Sequence, residues 1–373
     1  MDGIIFARQR FGGISRVWEE YLSRLPSYGI DVHLLIPRNH KNYSLSRIIT
    51  NKYYHRITQD NFYWPRRIFE KVSIRSKILK KHINPSIQLF QSTYFTTVCC
   101  TNSPKVVMVH DMIAEKFQGI SSNKWNNLEI EMKRLVLHKS DHIIAISKNT
   151  KKDLLDIYPA ILPEKVTVIY NGITQKSEVI LPPFDSLIQK FQLDLQPRHY
   201  FLYVGQRNSY KNFKIIVELL QNFPEYQDYR ILCIGGENPG DESTSLISTS
   251  LQHCFIFLDY ICDDDLSVFY QNALALIYPS LYEGFGLPIT EAMSNNCPVI
   301  CSKTSSLPEV GGNAAYYFDP NSIDSLDIAL TQMLSTSREE IIESGLRNIK
   351  RFSWDQSTLS LVNLYRSLVK ENS

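Results

Sequence analysis

The sequence predicts an α/β fold made of two doubly wound domains, and three observations predict it. The chain has 373 residues, a length that suits two domains better than one. Short apolar runs rich in Val, Ile, Tyr and Phe alternate with helix-length segments, and runs without polar alternation are typical of parallel strands buried on both faces. The charge also changes sign, from a net +12 over residues 1–175 to −10 over residues 176–373, which favours two domains that face different partners.

The predicted strands form two series along the chain. In the first half they are Val32–Ile36, Ile87–Phe90, Val106–His110, Ile143–Ile146 and Val166–Tyr170. In the second half they are Tyr200–Val204, Arg230–Ile234, Cys254–Leu258, Ala273–Tyr278 and Val299–Cys301. Two successive series of strands and helices predict two doubly wound sheets. Because ligands bind at the carboxyl ends of such strands, we expect the two domains to face each other across a cleft.

The domain boundary is predicted near Gly172, and the Pro-containing stretch Ile180–Phe184 serves as a connector. The division is therefore 1–175 for the first domain, 176–355 for the second and 356–373 for a C-terminal helix. That helix, Gln356–Val369, has an apolar face made of Leu359, Leu361, Val362, Tyr365 and Leu368.

The composition excludes several classes of protein. With 43% hydrophobic and 21% charged residues the chain is not disordered, and it contains no apolar run of about 18 residues that would span a membrane. Charged residues within the first twenty positions argue against a signal peptide. None of the seven cysteines has C-x-x-C spacing, which argues against a structural zinc site and favours a reduced, cytoplasmic protein.

The most informative motif joins the predicted strand Ala273–Tyr278 to a helix over residues 289–295. Gly284 and Gly286 in the connecting loop allow a ligand to approach the backbone, and the helix N-terminus that follows favours an anion. Glu283 precedes this helix and Glu291 lies in its first turns. We expect one carboxylate at the reacting end of a ligand and the other on vicinal hydroxyls, as in a ribose. The alternative is an ordinary loop Glu and a surface helix Glu.

A second motif lies between Tyr203 and Phe213. Gly205 ends a strand, Arg207 and Lys211 follow it, and a helix is predicted from about Asn212. Two cations in a strand-to-helix loop can clamp a diphosphate, with Arg as a fork and Lys as a point charge. The alternative is a pair of solvated loop cations.

Two weaker motifs lie in the first half. Gly12 and Gly13 precede an apolar helical face made of Ile14, Val17, Trp18, Tyr21 and Leu22. Such a loop can approach a phosphate or a sugar closely, although a plain turn explains it equally well. His110 ends a predicted strand, where it can bond a sugar hydroxyl or shuttle a proton, or be purely structural.

Together these stretches resemble the family-4 glycosyltransferases, which are retaining enzymes of the GT-B fold. The matching stretches are FGGISR at 11–16, VMVHD at 107–111, DHIIAISKNT at 141–150, VIYNG at 168–172, YVGQRNSYKNF at 203–213, PSLYEGFGLPITEAM at 279–293 and SSLPEV at 305–310. The resemblance implies two Rossmann-like domains that enclose a nucleotide-sugar. The C-terminal domain would hold the nucleotide and the N-terminal domain the acceptor, and the last helix would return toward the N-terminal domain.

The resemblance also implies a role for each site residue. The catalytic residues would be Glu283 at the donor sugar, Arg207 and Lys211 at the leaving diphosphate, and His110 beside the sugar. Donor-binding residues would be Gly12, Gly13, Gly205, Gly284, Phe285, Gly286, Leu287 and Glu291, the last on the ribose hydroxyls. No metal or other cofactor is expected, because the two cations would take over the charge that a metal neutralises elsewhere.

The implied reaction moves a hexose, with GDP-mannose favoured as donor, to a lipid-linked or oligosaccharide acceptor in polysaccharide synthesis. Two alternatives stay open: an enzyme that acts on a soluble sugar-phosphate acceptor, and a non-catalytic binding subunit with the same fold. No nucleic-acid partner is expected.

Two features depart from or compete with this interpretation. Similar sequences carry an apolar strand before the equivalent of Asp2, so we expect the first strand to be missing or reduced to Gly3–Ala7, through a misplaced start or a weakened sheet. The run Asp263–Asp265 looks like a metal-binding motif, but it precedes an apolar helical face and is better interpreted as a helix N-cap with acidic first-turn residues.

Residues 64–83 predict a basic amphipathic helix. Seven cations stand against one acid, Glu70, and apolar residues recur near one helical face. Such a helix is typical of binding to an anionic membrane surface, which would place the protein on the inner face of the membrane. The alternative is a domain helix whose apolar face packs on the sheet.

Overall fold

The computed structural model describes residues 1–8, 12–35, 54–56, 86–96, 102–117, 124–174, 180–207, 209–236, 244–259 and 261–371. The chain divides into two compact units. Unit 1 comprises Met1–Gly172 and Phe352–Ser373, and unit 2 comprises Ile173–Arg351. The chain thus passes between units a few residues before the predicted positions 175 and 355. The predicted basic helix at 64–83 lies outside the described residues.

Unit 1 contains six described strands, all short and paired in parallel. They are β1 Val32–Leu34, β2 Tyr54–Arg56, β3 Phe90–Ser92, β4 Lys105–Val109, β5 His142–Ala145 and β6 Val166–Val168. The helices before its C-terminal segment are α1 Ile4–Arg8, α2 Gly13–Arg24, α3 Ile113–Lys116, α4 Lys124–Lys139 and α5 Lys148–Ile157. Two 3₁₀ turns are Leu25–Tyr28 and Pro163–Lys165.

The N-terminal segment of unit 1 joins two groups of strands. Strands β3 to β6 form one sheet in sequence order, and β1 pairs with β2. The main chain of Met1–Gly3 bonds Leu35 on one side, at 2.7 and 3.0 Å, and Gln91 on the other, at 3.4 Å. The expectation of a reduced strand at Gly3–Ala7 was wrong in position: the extended segment is Met1–Gly3, and the chain then turns into α1.

Unit 2 contains the other six described strands. They are β7 Tyr200–Val204, β8 Arg230–Ile234, β9 Phe255–Leu258, β10 Ala275–Tyr278, β11 Val299–Ser302 and β12 Tyr316–Phe318. Its helices are α6 Phe184–Phe191, α7 Lys214–Asn222, α8 Asp263–Asn272, α9 Leu287–Ser294, α10 Leu307–Gly311, α11 Ile323–Ser335 and α12 Arg338–Ile349. Short 3₁₀ turns are Ser209–Lys211, Pro224–Asp228, Thr244–Leu246, Thr249–Cys254 and Gly312–Ala314.

The six strands of unit 2 form one parallel sheet in the order β12-β11-β10-β7-β8-β9. The chain builds β7, β8 and β9 outward on one side, then returns to place β10, β11 and β12 on the other. Strands β7 and β10 are therefore neighbours at the point where the direction of winding changes. In open α/β sheets a crevice forms there, outside the carboxyl ends of the two strands.

The last helix, α13 Trp354–Glu371, belongs to unit 1. Its Tyr365 hydroxyl donates to Gln91 Oε1 at 2.9 Å, and the ring of Trp354 meets Tyr21 of α2 edge-on at 5.4 Å. Leu361 and Val362 are fully buried, as predicted. Leu359 was wrongly placed on the apolar face: it precedes Leu361 by two residues, about 200° around the helix, and it is exposed.

Candidate functional site

Three polar side chains meet beside the crevice between β7 and β10. Lys211 lies in the 3₁₀ turn after β7, Tyr278 is the last residue of β10, and Glu283 lies in the loop before α9. The Lys211 Nζ donates to Glu283 Oε1 at 2.6 Å and to the Tyr278 hydroxyl at 3.2 Å, and that hydroxyl donates to the same Glu283 oxygen at 2.7 Å. All three side chains are largely or fully buried, so these charge-assisted bonds are weakly screened.

The surroundings of Tyr278 keep its hydroxyl protonated. Burial raises the pKa of Tyr278 well above its ordinary value, and the adjacent Glu283 carboxylate raises it further. A protonated hydroxyl donates to the carboxylate while its oxygen accepts from the Lys211 ammonium. Sequence reasoning missed Tyr278 because it belongs to the apolar strand run. The signal was its position as the last strand residue before a Gly-containing loop.

Arg207 lies three residues after the end of β7. Its side chain is buried and reaches Gly235, which follows β8, and Phe257 of β9. One of its terminal nitrogens donates to the Gly235 carbonyl oxygen at 2.9 Å, and its guanidinium lies 5.0 Å from the ring centre of Phe257. Gly236, with φ of +103°, permits this approach, because a Cβ there would lie 2.9 Å from the same nitrogen. Burial of Arg207 and the Lys211–Glu283 pair contradict the alternative of two solvated loop cations.

The loop after Glu283 leads directly into the N-terminus of α9. Pro288 occupies the first turn, where its lack of an N–H costs nothing, and Gly286 is the N-cap with φ of +101°. A side chain at Gly286 would be strained by that φ, and its Cβ would lie 2.9 Å from a Leu307 methyl. The first amides of a helix have no intrahelical acceptor, so this end of α9 favours an anion.

Glu291 occupies the second turn of α9 and is half-buried. The buried Tyr270 of α8 donates to its Oε2 at 3.5 Å. The two carboxylates thus differ in their partners. Glu283 is bonded by an ammonium and a hydroxyl, whereas Glu291 accepts a long bond from a hydroxyl and stays partly open to water.

The remaining predicted catalytic residue, His110, belongs to unit 1 and follows β4 directly. It is buried, and its Nε2 has no hydrogen-bond partner among the described residues. Burial, assisted by the charge of nearby Lys133, lowers the pKa of His110 to about 3. The imidazole is therefore neutral near pH 7, which suits hydrogen bonding to a hydroxyl better than proton shuttling.

Behind His110 lies a buried ion pair. Lys133 of α4 donates to Glu115 Oε2 at 2.8 Å and to the main-chain oxygen of Asp111 at 3.1 Å. Tyr158 donates to the other oxygen of Glu115 at 3.0 Å.

Gly12 and Gly13 lie at the start of α2. Gly12 is the N-cap of this helix, and Gly13 is exposed.

The acidic run Asp263–Asp265 forms the first turn of α8. The prediction of an acidic N-cap was wrong by one residue, because Cys262 holds that position. Acidic first-turn residues complement the helix dipole, and Asp265 accepts from Lys190 at 2.5 Å.

Within the described ranges, no three His, Cys, Asp or Glu side chains are grouped closely enough to hold a metal ion. No described helix is long and apolar enough to span a membrane.

Comparison with known proteins places this chain in a family. The chain matches the family "Glycosyl transferases group 1" over residues 185–347 and "Glycosyltransferase Family 4" over residues 11–176, which together cover most of it. It is 34% identical to O-antigen chain mannosyltransferase B of Escherichia coli over 61% of this chain and 60% of that protein. It is 28% identical to O-antigen chain mannosyltransferase RfbU of Salmonella typhimurium over 50% of this chain and 49% of that protein.

Solved structures share the fold at low sequence identity. Sucrose-phosphate synthase from Thermosynechococcus elongatus superposes with a TM-score of 0.72 at 18% identity, over 96% of this chain and 94% of that one. The lipopolysaccharide glycosyltransferase WaaG gives 0.69 at 16% identity, over 95% and 96%. At such identities the likeness shows the fold alone. The solved structures thus identify the two parallel-sheet units as those of the GT-B fold. The two family matches show that the chain belongs to the family-4 glycosyltransferases.

Proposed function

We propose that the protein transfers a hexose from a nucleotide-diphosphate sugar to a glycan acceptor. The observation that carries the proposal is the network of Lys211, Tyr278 and Glu283 at the switch point of unit 2. Arg207 is buried nearby in the loop after β7. Two cations and a helix N-terminus suit a diphosphate, and a fixed carboxylate suits sugar hydroxyls.

In the proposed reaction, the bond between the sugar C1 and the diphosphate oxygen breaks while C1 bonds to the acceptor oxygen on the same face. The acceptor proton passes to the departing diphosphate, so configuration is retained. Arg207 and Lys211 stabilise the negative charge that develops on the diphosphate. They do so without a metal, because both cations are built into the chain.

The two carboxylates have separate roles in this proposal. Glu283 binds the donor sugar and supports the positive charge that develops at the ring in an oxocarbenium-like transition state. Glu291, half-buried and open to water, accepts the ribose hydroxyls. The contacts of Gly12, Gly13 and His110 with the donor rest on the family resemblance alone.

For the substrates, we propose GDP-mannose and a lipid-linked or oligosaccharide acceptor of polysaccharide synthesis. The support is that both curated relatives described above are O-antigen chain mannosyltransferases. A panel of GDP- and UDP-hexoses tests the donor, with released nucleoside diphosphate as the readout. Release that is greatest with a UDP-sugar would contradict the mannosyl assignment.

A soluble sugar-phosphate acceptor is the second candidate. It is favoured by 24% identity to alpha-maltose-1-phosphate synthase of Mycolicibacterium smegmatis over 64% of this chain and 66% of that protein. Radiolabelled donor offered with a lipid-linked acceptor and with a hexose phosphate, followed by thin-layer separation, distinguishes the two. Labelled lipid supports the first proposal, and labelled sugar phosphate supports the second. A non-catalytic subunit would label neither.

A further inference from the structure

Three consecutive hydroxyl-bearing residues, Thr304 to Ser306, lie in the four-residue connection between β11 and α10. They face the loop of residues 280–286 that carries Glu283, which we call the Glu283 loop. The sequence stretch SSLPEV at 305–310 was part of the family resemblance but received no role there. Its first two residues contact the Glu283 loop directly.

The two serines hold Glu283 by both of its main-chain polar groups. Ser305 Oγ accepts from the Glu283 N–H at 2.9 Å. Ser306 Oγ lies 2.9 Å from the Glu283 carbonyl oxygen and 3.0 Å from that of Phe285, and its single proton is shared between these acceptors. The Glu283 backbone is therefore fixed from a different strand-to-helix connection than its own.

The neighbours of the serines strengthen the contact. Thr304 Oγ1 donates to the Ser280 carbonyl oxygen at 3.2 Å, at the start of the loop, and a Leu307 methyl fills the space beside Gly286 at its end. Ser305 adopts φ of +49°, in the left-handed region that residues other than glycine rarely occupy. Such strain persists where the surroundings over-determine the conformation, often at functional sites.

We propose that Ser305 and Ser306 are positioning residues that set where the Glu283 carboxylate lies for sugar transfer. Lys211 and Tyr278 hold the carboxylate end of this residue, and the serines hold its main chain. A displacement of about 1 Å at a reacting group can cost about a hundredfold in rate. The inference rests on the proposed function, because it gives the serines a role through Glu283.

Ser302 supplies a matched control for the loss of a buried serine hydroxyl. It ends β11, is fully buried like Ser306, and its Oγ has no hydrogen-bond partner among the described residues. Ser302→Ala removes a hydroxyl from the same region without removing a described hydrogen bond to the Glu283 loop. Ser305→Ala provides a second test variant at a half-buried position, in case Ser306→Ala destabilises the protein.

The experiment measures three quantities on the full chain: release of nucleoside diphosphate from GDP-mannose and UDP-glucose, calorimetric binding of GDP and UDP, and the melting temperature. The variants are Ser302→Ala, Ser305→Ala, Ser306→Ala and Glu283→Gln, together with Ser306→Ala combined with Glu283→Gln. We expect kcat to fall at least tenfold in Ser305→Ala and Ser306→Ala. The nucleotide affinity of Ser305→Ala and Ser306→Ala should stay within about twofold of wild type. The kcat of Ser302→Ala should also stay within about twofold of wild type.

The double variant separates positioning from general structure. If the serines act through Glu283, Ser306→Ala lowers the remaining rate of Glu283→Gln by less than about twofold. An undiminished tenfold loss in that background, or wild-type kcat in both serine variants while Glu283→Gln is impaired, would overturn the positioning role and leave the proposed function intact. Wild-type kcat in Glu283→Gln would overturn the role of Glu283 and, with it, that of the serines.

Discussion

The carboxylate of Glu283 accepts from two donors of different kinds, an ammonium and a phenol. Both bonds reach the same oxygen, Oε1, from Lys211 and Tyr278. In the proposed reaction the Lys211 ammonium, which has three N–H groups, also donates to a phosphate oxygen. The charge on the departing diphosphate and the orientation of the Glu283 carboxylate would then be linked through Lys211.

The two acidic residues should respond differently to truncation. Glu291→Ala should weaken nucleotide binding by about 1.5–3 kcal/mol, the usual worth of a hydrogen bond to a charged group. Glu283→Ala should leave nucleotide affinity close to that of wild type and mainly lower kcat. Calorimetry with GDP and steady-state kinetics separate the two effects. Equal losses of affinity in both variants would argue against divided roles.

Burial of His110 makes the stability of unit 1 depend on pH. Its pKa of about 3 lies below the ordinary 6.5, so between these values the unfolded chain binds a proton that the folded protein excludes. The free energy of unfolding should therefore fall as the pH is lowered through that window, by up to about 1.4 kcal/mol per pH unit from this group.

Urea unfolding at pH 6.5, 5.5 and 4.5 tests this dependence, with His110→Asn as the comparison. The variant lacks the titrating imidazole, so its stability should decline less steeply over the same range. Parallel curves for the two proteins would show that His110 does not titrate as its burial implies.

At the scale of elements, ten of the described strands overlap runs predicted from the sequence, because those runs are mainly apolar; β3 overlaps its predicted run Ile87–Phe90 only at Phe90. The bounds of β7 and β8 are as predicted. Strands β2 and β12 were not predicted; β2 contains His55 and Arg56 and therefore carries no apolar run. Residues 1–3 could not be recognised either, because their strand-like role comes from main-chain bonds to Leu35 and Gln91.

The same limit applies to the site. Arg207, Lys211 and Glu283 were predicted from residue type and position after strands. The partners of Glu283 on β10 and after β11 depend on which strands become neighbours in the sheet. That order is long-range information, which periodicity along the chain does not contain.

Helix α13 offers a prediction with a control on the same element. Leu361 is fully buried in unit 1, whereas Leu359 is exposed. Leu361→Ala should lower the free energy of unfolding by about 2–5 kcal/mol, through lost burial and a cavity. Leu359→Ala should change it by less than about 0.5 kcal/mol. Chemical denaturation monitored by circular dichroism gives both values, and similar losses would contradict the observed orientation of α13.

At the scale of the whole molecule, the basic first half and the segment 64–83 predict binding to an anionic surface. Changing Arg66, Arg67, Lys77 and Lys81 to Glu should abolish sedimentation with anionic liposomes at low salt. Each cation near such a surface contributes about 1 kcal/mol. Release of nucleoside diphosphate should be unaffected, which serves as the control for folding. Wild-type protein that stays in the supernatant would refute membrane docking.

The measurement that tests the central claim most directly is release of nucleoside diphosphate from the preferred nucleotide-sugar, in EDTA, by wild type, Arg207→Ala, Lys211→Ala and Lys214→Ala. The exposed Lys214 is the matched control, a cation three residues from Lys211. We predict that EDTA leaves wild type and Lys214→Ala active, and that Arg207→Ala and Lys211→Ala each lose about a hundredfold, as expected for transition-state charge contacts. Wild-type rates in both site variants, or a strict need for Mg²⁺ or Mn²⁺, would contradict the account.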